Sequence, residues 1–140
     1  MTRRNARELI MQMLYESTFH NGEDTERLLY EKLNEIKEKD EKGNKAVIKF
    51  IEDEYFGILT HLDEIDKLIE KSAVNWTISR IARVDLGILR LATYELKWQQ
   101  DIPRKVVVNE ALEIAKAYST DKSPQFINGI LGNVIKTLEE

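Results

Sequence analysis

Residues 3–16 read RRNARELIMQMLYE, and their spacing commits this stretch to helix. Arg3 and Arg7 stand four apart with Arg4 beside them, so one helical face carries all three. Leu9, Ile10, Met13, Leu14 and Ala6 fall on the opposite side and would seat the helix on a core. Guanidiniums at a helix N-terminus oppose the macrodipole, which favours anions there. A phosphate backbone suits such a cluster, and a solvated basic end is the plain alternative.

The same period continues along the chain. The first helix is expected from about Arg3 to Phe19, stopping at Asn21-Gly22. Asp24 or Thr25 can cap a second, with Leu28, Leu29, Leu33 and Ile36 buried. The run KEKDEKGN, residues 37–44, has no apolar residue and reads as an exposed loop. From Lys45 to Ser72 apolar residues keep a helical period, with Gly57 or Thr60 placed to bend or divide the segment. Trp76 opens a short turn and reads as a core plug between halves of the molecule. Asp85 then caps the strongly apolar LGILRLATYELKW, residues 86–98. Tyr94 and Trp98 share helical spacing with Leu91, which favours packing over base stacking.

Pro103 closes the next connection, and Val106-Val107-Val108 is too short for a strand, so it reads as the buried first turn of a helix ending near Tyr118. Ser123 as N-cap with Pro124 behind it starts the last helix. Its buried face is Ile127, Ile130, Leu131, Val134, Ile135 and Leu138. Gly129 and Gly132 suggest close approach to a neighbouring helix, and Asn128 suggests an amide bonded across helices. The expected fold class is all-α: a compact bundle of six or seven helices, two helical halves sharing one core, in a single domain over residues 1–140.

Composition narrows the function. A chain of 140 residues can bury a real core. It has no cysteine, which excludes disulfides, thiolate metal sites and cysteine nucleophiles; its only histidines are His20 and His61. No segment offers the roughly twenty apolar residues of a membrane span, and no apolar stretch follows the N-terminal arginines as a secretory signal requires. The cytoplasm is the expected location. The net charge of −4 hides an asymmetry: residues 21–72 carry nine basic and fifteen acidic side chains, whereas 73–140 carry nine and eight. An anionic ligand would avoid the middle and settle on the two ends. No glycine-rich phosphate loop, nucleophile elbow or paired-histidine motif is present, and acids such as Asp63 and Asp66 read as a solvated face. No enzymatic role, metal or cofactor is expected.

Four motifs in order, RRNAREL…MLYE, ILRLATYEL (88–96), IPRKVVVNEALEIAKAY (102–118) and SPQFINGILG (123–132), make the chain resemble the NusB family of transcription antitermination factors. Residues 21–72 match that family only in helical pattern. The resemblance implies a helical domain that binds boxA, a single-stranded RNA element of ribosomal RNA operon leaders. It also implies a partner, the small-subunit ribosomal protein NusE, and a role in helping RNA polymerase read through terminators.

Single-stranded RNA needs cations for its backbone and flat side chains for its unstacked bases. Arg3, Arg4 and Arg7 offer cations at one end, and Lys122 and Phe126 flank the start of the last helix at the other. The family pattern places an RNA-contacting aromatic at Phe126; packing against the preceding helix is the alternative. Lys122 stands where some relatives have an acidic residue. Free N–H groups over Ser123–Phe126 would add a phosphate site. By the resemblance NusE docks on the C-terminal half, where Asp85 aligns with an acidic position and is expected to meet a basic partner, against the alternative that it only caps its own helix. Two other readings stand beside these. The fold also occurs as the RNA-binding part of ribosomal RNA cytosine methyltransferases, which a chain without a Rossmann-like segment or a cysteine is not expected to be. A helical protein–protein scaffold or homodimer, its basic ends merely solvated, is the second.

Overall fold

In the computed structural model, which describes residues 1–19, 22–39 and 45–140, the helices are α1 (Arg3–Ser17), α2 (Gly22–Lys39), α3 (Lys45–Thr60), α4 (Leu62–Ser72), α5 (Arg83–Trp98), α6 (Arg104–Tyr118) and α7 (Ser123–Glu139). A 3₁₀ turn at Ile78–Arg80 joins α4 to α5, and there is no strand among the described residues. The all-α class and the upper helix count are as the sequence predicts.

Helix α5 is the axis. It packs against α1, α3, α4, α6 and α7 and is buried almost continuously from Asp85 to Leu96. A helix apolar around most of its circumference has to be enclosed on all sides, and LGILRLATYELKW is such a helix. The first half of the chain reaches it through α1 and α3, the second through α4, α6 and α7, so both halves share one core. Close approach has a residue-level cause at Gly87, where a Cβ would lie 3.3 Å from the Met11 carbonyl oxygen of α1. At Gly57 of α3 a Cβ would run into the Tyr94 ring.

Boundaries differ from expectation for local reasons. Helix α1 opens with Thr2, whose Oγ1 accepts from the Asn5 amide at 3.0 Å, and it ends at Ser17; the expected stop at Asn21 lies outside the described residues. Helix α2 already begins at Gly22, upstream of both Asp24 and Thr25. Residues 37–39 of the expected loop are the last turn of α2, and 40–44 lie outside the described residues. The long segment 45–72 divides at His61, which stacks on Trp98 at 4.2 Å and so marks the corner between α3 and α4. Tyr94 is buried and Trp98 half-buried, as packing residues should be. Of the three valines opening α6 only Val107 is buried, and Val106 is exposed.

Helix α7 buries Ile127, Ile130, Leu131 and Val134, but its glycines do not serve close packing: nothing lies within 4 Å of a Cβ at Gly129 or Gly132. Asn128 is exposed, and the amide that crosses between helices is Asn133, donating to the Ser72 carbonyl at 2.9 Å. Gly129 and Gly132 therefore carry the backbone-entropy cost of glycine with no steric return. We expect Gly129→Ala and Gly132→Ala each to stabilise the fold by roughly 0.5–1 kcal/mol, measured as a raised midpoint in thermal or urea unfolding.

Candidate nucleic-acid interface

The three N-terminal arginines have three different fates. Arg3 is exposed, its guanidinium 4.3 Å over the Phe50 ring of α3. Arg4 is exposed as well but forms a fork with Glu110 of α6, at 2.8 and 3.1 Å. That hydrogen bond holds the Glu110 carboxyl below the usual carboxylate range and raises Arg4 in turn. Arg7 corrects the expectation of a shared exposed face. It is 6 % exposed, and its guanidinium meets the Glu95 carboxylate of α5 at 3.0 and 3.2 Å from Nε and 3.0 Å from the second nitrogen. Arg7 directs its guanidinium inward onto Glu95 rather than outward, and a guanidinium enclosed this way cannot reach a phosphate.

Glu54 of α3 completes the buried cluster. It is 1 % exposed, and burial, reinforced by the neighbouring Glu95 carboxylate, pushes it up from 4.5 to about 9. Its carboxyl is thus neutral at physiological pH, and one of its oxygens, Oε2, has no hydrogen-bond partner. Two buried carboxyls share one buried cation here, and one proton resolves the conflict.

The second candidate region gathers where α5 begins and α6 passes to α7. A pocket of about 660 Å³ is lined by Trp76, Phe126, Arg80, Lys122, Gln125 and Asp85 among others. Lys122 is exposed at its rim and Phe126 is half-buried, its ring edge-to-face with Trp76 at 5.4 Å. Trp76 is no core plug: it is 46 % exposed. The sequence carried a sign of this. Its neighbours Asn75, Thr77 and Ser79 are polar, so the indole stands outside any apolar stripe. Arg80 is the other lining cation that sequence reasoning passed over.

Asp85 is corrected too. It lies within the first turn of α5 rather than at its cap, 6 % exposed, and accepts hydrogen bonds from Ser119 Oγ at 2.5 Å and Ser123 Oγ at 3.1 Å. The carboxylate ties the α6–α7 connection to α5, each of its oxygens accepting from a serine hydroxyl. Ser123 is the first helical residue, not the cap, because its hydroxyl is engaged with Asp85 and with the Thr120 amide at 3.3 Å. Two amides of the expected site are taken: the Ser123 amide donates to the Thr120 carbonyl at 3.0 Å and the Phe126 amide to the Lys122 carbonyl at 3.1 Å. Pro124 has no N–H. Asp66, read as solvated, holds Arg90 at 2.9 Å.

The two regions are not contiguous. Arg4 meets Glu110 near the middle of α6, whereas Tyr118 at its end donates to Glu8, one turn further along α1, at 2.8 Å. The two helices run in the same direction. Lys122 and Phe126 lie beyond the Tyr118 end of α6, which is about 12 Å along the helix from Glu110, the residue that Arg4 meets.

A helical bundle whose surface offers cations and aromatic rings has the character of an interaction factor. The chain belongs to the NusB family, whose model matches residues 4–136; it is a transcription antitermination factor and not an enzyme. It is 46 % identical over 143 residues to the transcription antitermination protein NusB of Clostridium botulinum (strain Loch Maree / Type A3), covering 96 % of this chain and 100 % of that one. The Geobacter sulfurreducens protein of the same name is 44 % identical, covering 99 % and 96 %. Among solved structures, T. maritima NusB superposes with a TM-score of 0.86 at 38 % identity, covering 97 % of this chain and 92 % of that one. NusB solved with NusE in complex with double-stranded RNA superposes at 0.80 and 27 % identity, covering 96 % of each chain.

Two outcomes follow from the buried cluster. Arg7→Ala leaves Glu95 uncompensated beside Glu54 and should cost about 3–5 kcal/mol of stability, whereas Arg7→Met with Glu95→Leu should recover most of it; chemical denaturation of the three proteins checks this. Glu54, raised in the folded state, keeps a proton there that the unfolded chain releases above about 4.5. Stability from this group is therefore full below that value and declines as pH rises towards about 9. Thermal melts across that range should show the decline, and Glu54→Gln should flatten it.

Proposed function

We propose that this chain binds single-stranded boxA RNA of ribosomal RNA operon leaders together with NusE, and that the complex helps RNA polymerase read through terminators. The observation that carries the reading is the pocket at the start of α7, where exposed aromatic surface and the cations Arg80 and Lys122 converge around Phe126. That is the chemistry single-stranded RNA demands, and it sits at the position where the family pattern has an RNA-contacting aromatic. The NusB structure solved with NusE and double-stranded RNA supports NusE and RNA as partners of this chain. Residues 1–140 act in this reading as a single domain, working in the cytoplasm; no helix among the described residues is long and apolar enough to cross a membrane.

Arg3 and Arg4 form the second contact, reached by an RNA that runs along α6 from the first. Arg4 reaches a phosphate only by sharing or leaving Glu110, so Arg3 is the stronger contributor of the two. Arg7 is left out on geometric grounds, and Asp85 is not assigned to NusE.

The double variant Arg3→Ala with Arg4→Ala should retain its melting temperature, since exposed charges contribute little to stability. It should lose boxA affinity, and the slope of log K against log salt should fall by about 0.7 for each phosphate contact removed. Filter binding over a salt series, with boxA and scrambled RNA and with and without NusE, tests this. Failure to bind either RNA, with association of the chain to itself, would favour a protein scaffold instead.

A further inference from the structure

We propose that Trp76, with Phe126 as its brace, is the principal surface on which an unpaired RNA base stacks; the proposal rests on the RNA-binding reading above. Phe126 is half-buried and packs on the core, so little of its ring is left to offer a base. Trp76 is 46 % exposed, has the larger ring, and opens onto a pocket of about 660 Å³, within the size range of sites for small organic ligands. The two rings meet edge-to-face at 70°, which spends one contact of the indole on Phe126 and holds its plane.

The backbone is shaped to present this ring. Asn75 has φ of 70°, the left-handed region that asparagine tolerates better than other side chains. The Trp76 amide closes a turn onto the Ala73 carbonyl at 3.0 Å. The segment behind is pinned by Glu70, whose Oε1 accepts from the Ile78 amide at 2.9 Å. A left-handed residue and two anchoring hydrogen bonds hold an indole out towards solvent, where water alone would not favour it.

Charge identifies the occupant as anionic. Arg80 and Lys122 line the pocket, and its one lining carboxylate, Asp85, is buried under the hydroxyls of Ser119 and Ser123. A base lying on the indole would place its phosphates near the two cations and its polar edge within reach of Gln125. A neutral apolar peptide would satisfy the rings and leave the cations without a partner.

The chain has two tryptophans, and Trp98 lies outside the pocket, stacked on His61. In a Trp98→Phe protein, emission therefore reports on Trp76 alone. Single-stranded boxA RNA should quench it at the concentrations where filter binding saturates, and adenosine monophosphate should need far higher ones. In the otherwise natural chain Trp76→Ala should weaken RNA binding between about five- and a hundredfold. Trp76→Phe should bind within a fewfold of the natural protein, and Phe126→Leu, which keeps the packing, should lose less than Trp76→Ala. Natural affinity in Trp76→Ala, or a larger loss in Phe126→Leu, overturns the assignment while leaving RNA binding intact. Equal affinity for the mononucleotide overturns it in favour of a free-nucleotide site. Absence of RNA binding by the natural chain itself would instead remove the reading on which the proposal rests.

Discussion

The ion pair between Arg7 and Glu95, with Glu54 against it, is the constraint on which the rest of this bundle depends. It joins α1, α3 and α5, three segments far apart in sequence, at one buried point. A buried ion pair is not by itself a strong stabiliser, because desolvating two charges offsets most of their attraction. Its value lies in what it forbids. Sliding α1 along α5 by a turn would bury Arg7 and Glu95 apart, at a cost of several kcal/mol, and would also move the Met11 backbone off Gly87 onto residues that carry a Cβ. Apolar side chains alone would tolerate several registers; the charged pair selects one.

The same pair explains why cations crowd the start of α1 against its dipole. Arg7 is answered by Glu95 and Arg4 by Glu110, so two of the three charges are balanced by carboxylates brought from α5 and α6. Only Arg3 keeps its charge turned outward, over an aromatic face. The basic signature that suggests RNA binding is therefore largely structural, and its outward-facing part is smaller than a count of arginines implies. Electrostatics visible in sequence is a sum over residues; whether a charge is available depends on which carboxylates the fold carries to it.

This separates what was legible from what was not. Helix-forming periodicity is local, so the all-α class, the enclosed character of 86–98 and the buried stripe of α7 could be read from spacing. The division near Thr60 was legible as well, because a helical stripe interrupted by Gly57 and Thr60 has few ways to continue. Of the residues that line the pocket, motif resemblance singled out Lys122 and Phe126 as candidate RNA contacts, which spacing could not do. Arg7, Trp76 and Asp85 were misread for one common reason: each side chain's environment is set by an element distant in the chain. Arg7 meets Glu95 across 88 residues, and Asp85 meets Ser119 and Ser123 across 34 and 38. Trp76, rich in apolar surface, was assigned to the core although its neighbours Asn75, Thr77 and Ser79 are polar; the ring that braces it at the surface, Phe126, comes from α7.

Asp85 shows how those misreadings join into one arrangement. Its carboxylate is buried at the N-terminal end of α5, where the helix dipole favours it, and it draws in two serine hydroxyls from the α6–α7 connection. Those bonds fix the position at which α7 starts, and with it Lys122 and Phe126. Phe126 then braces Trp76, whose loop is anchored from the other side by Glu70 of α4. The pocket is thus assembled from the α4–α5 connection, α5, the α6–α7 connection and the first turn of α7, with one connection held by Glu70 of α4 and the other by Asp85 of α5. Sites that bind with little rearrangement are those whose side chains are positioned by such a supporting layer rather than by the ligand. A residue that resembles a partner contact can therefore matter for binding without touching anything outside the protein.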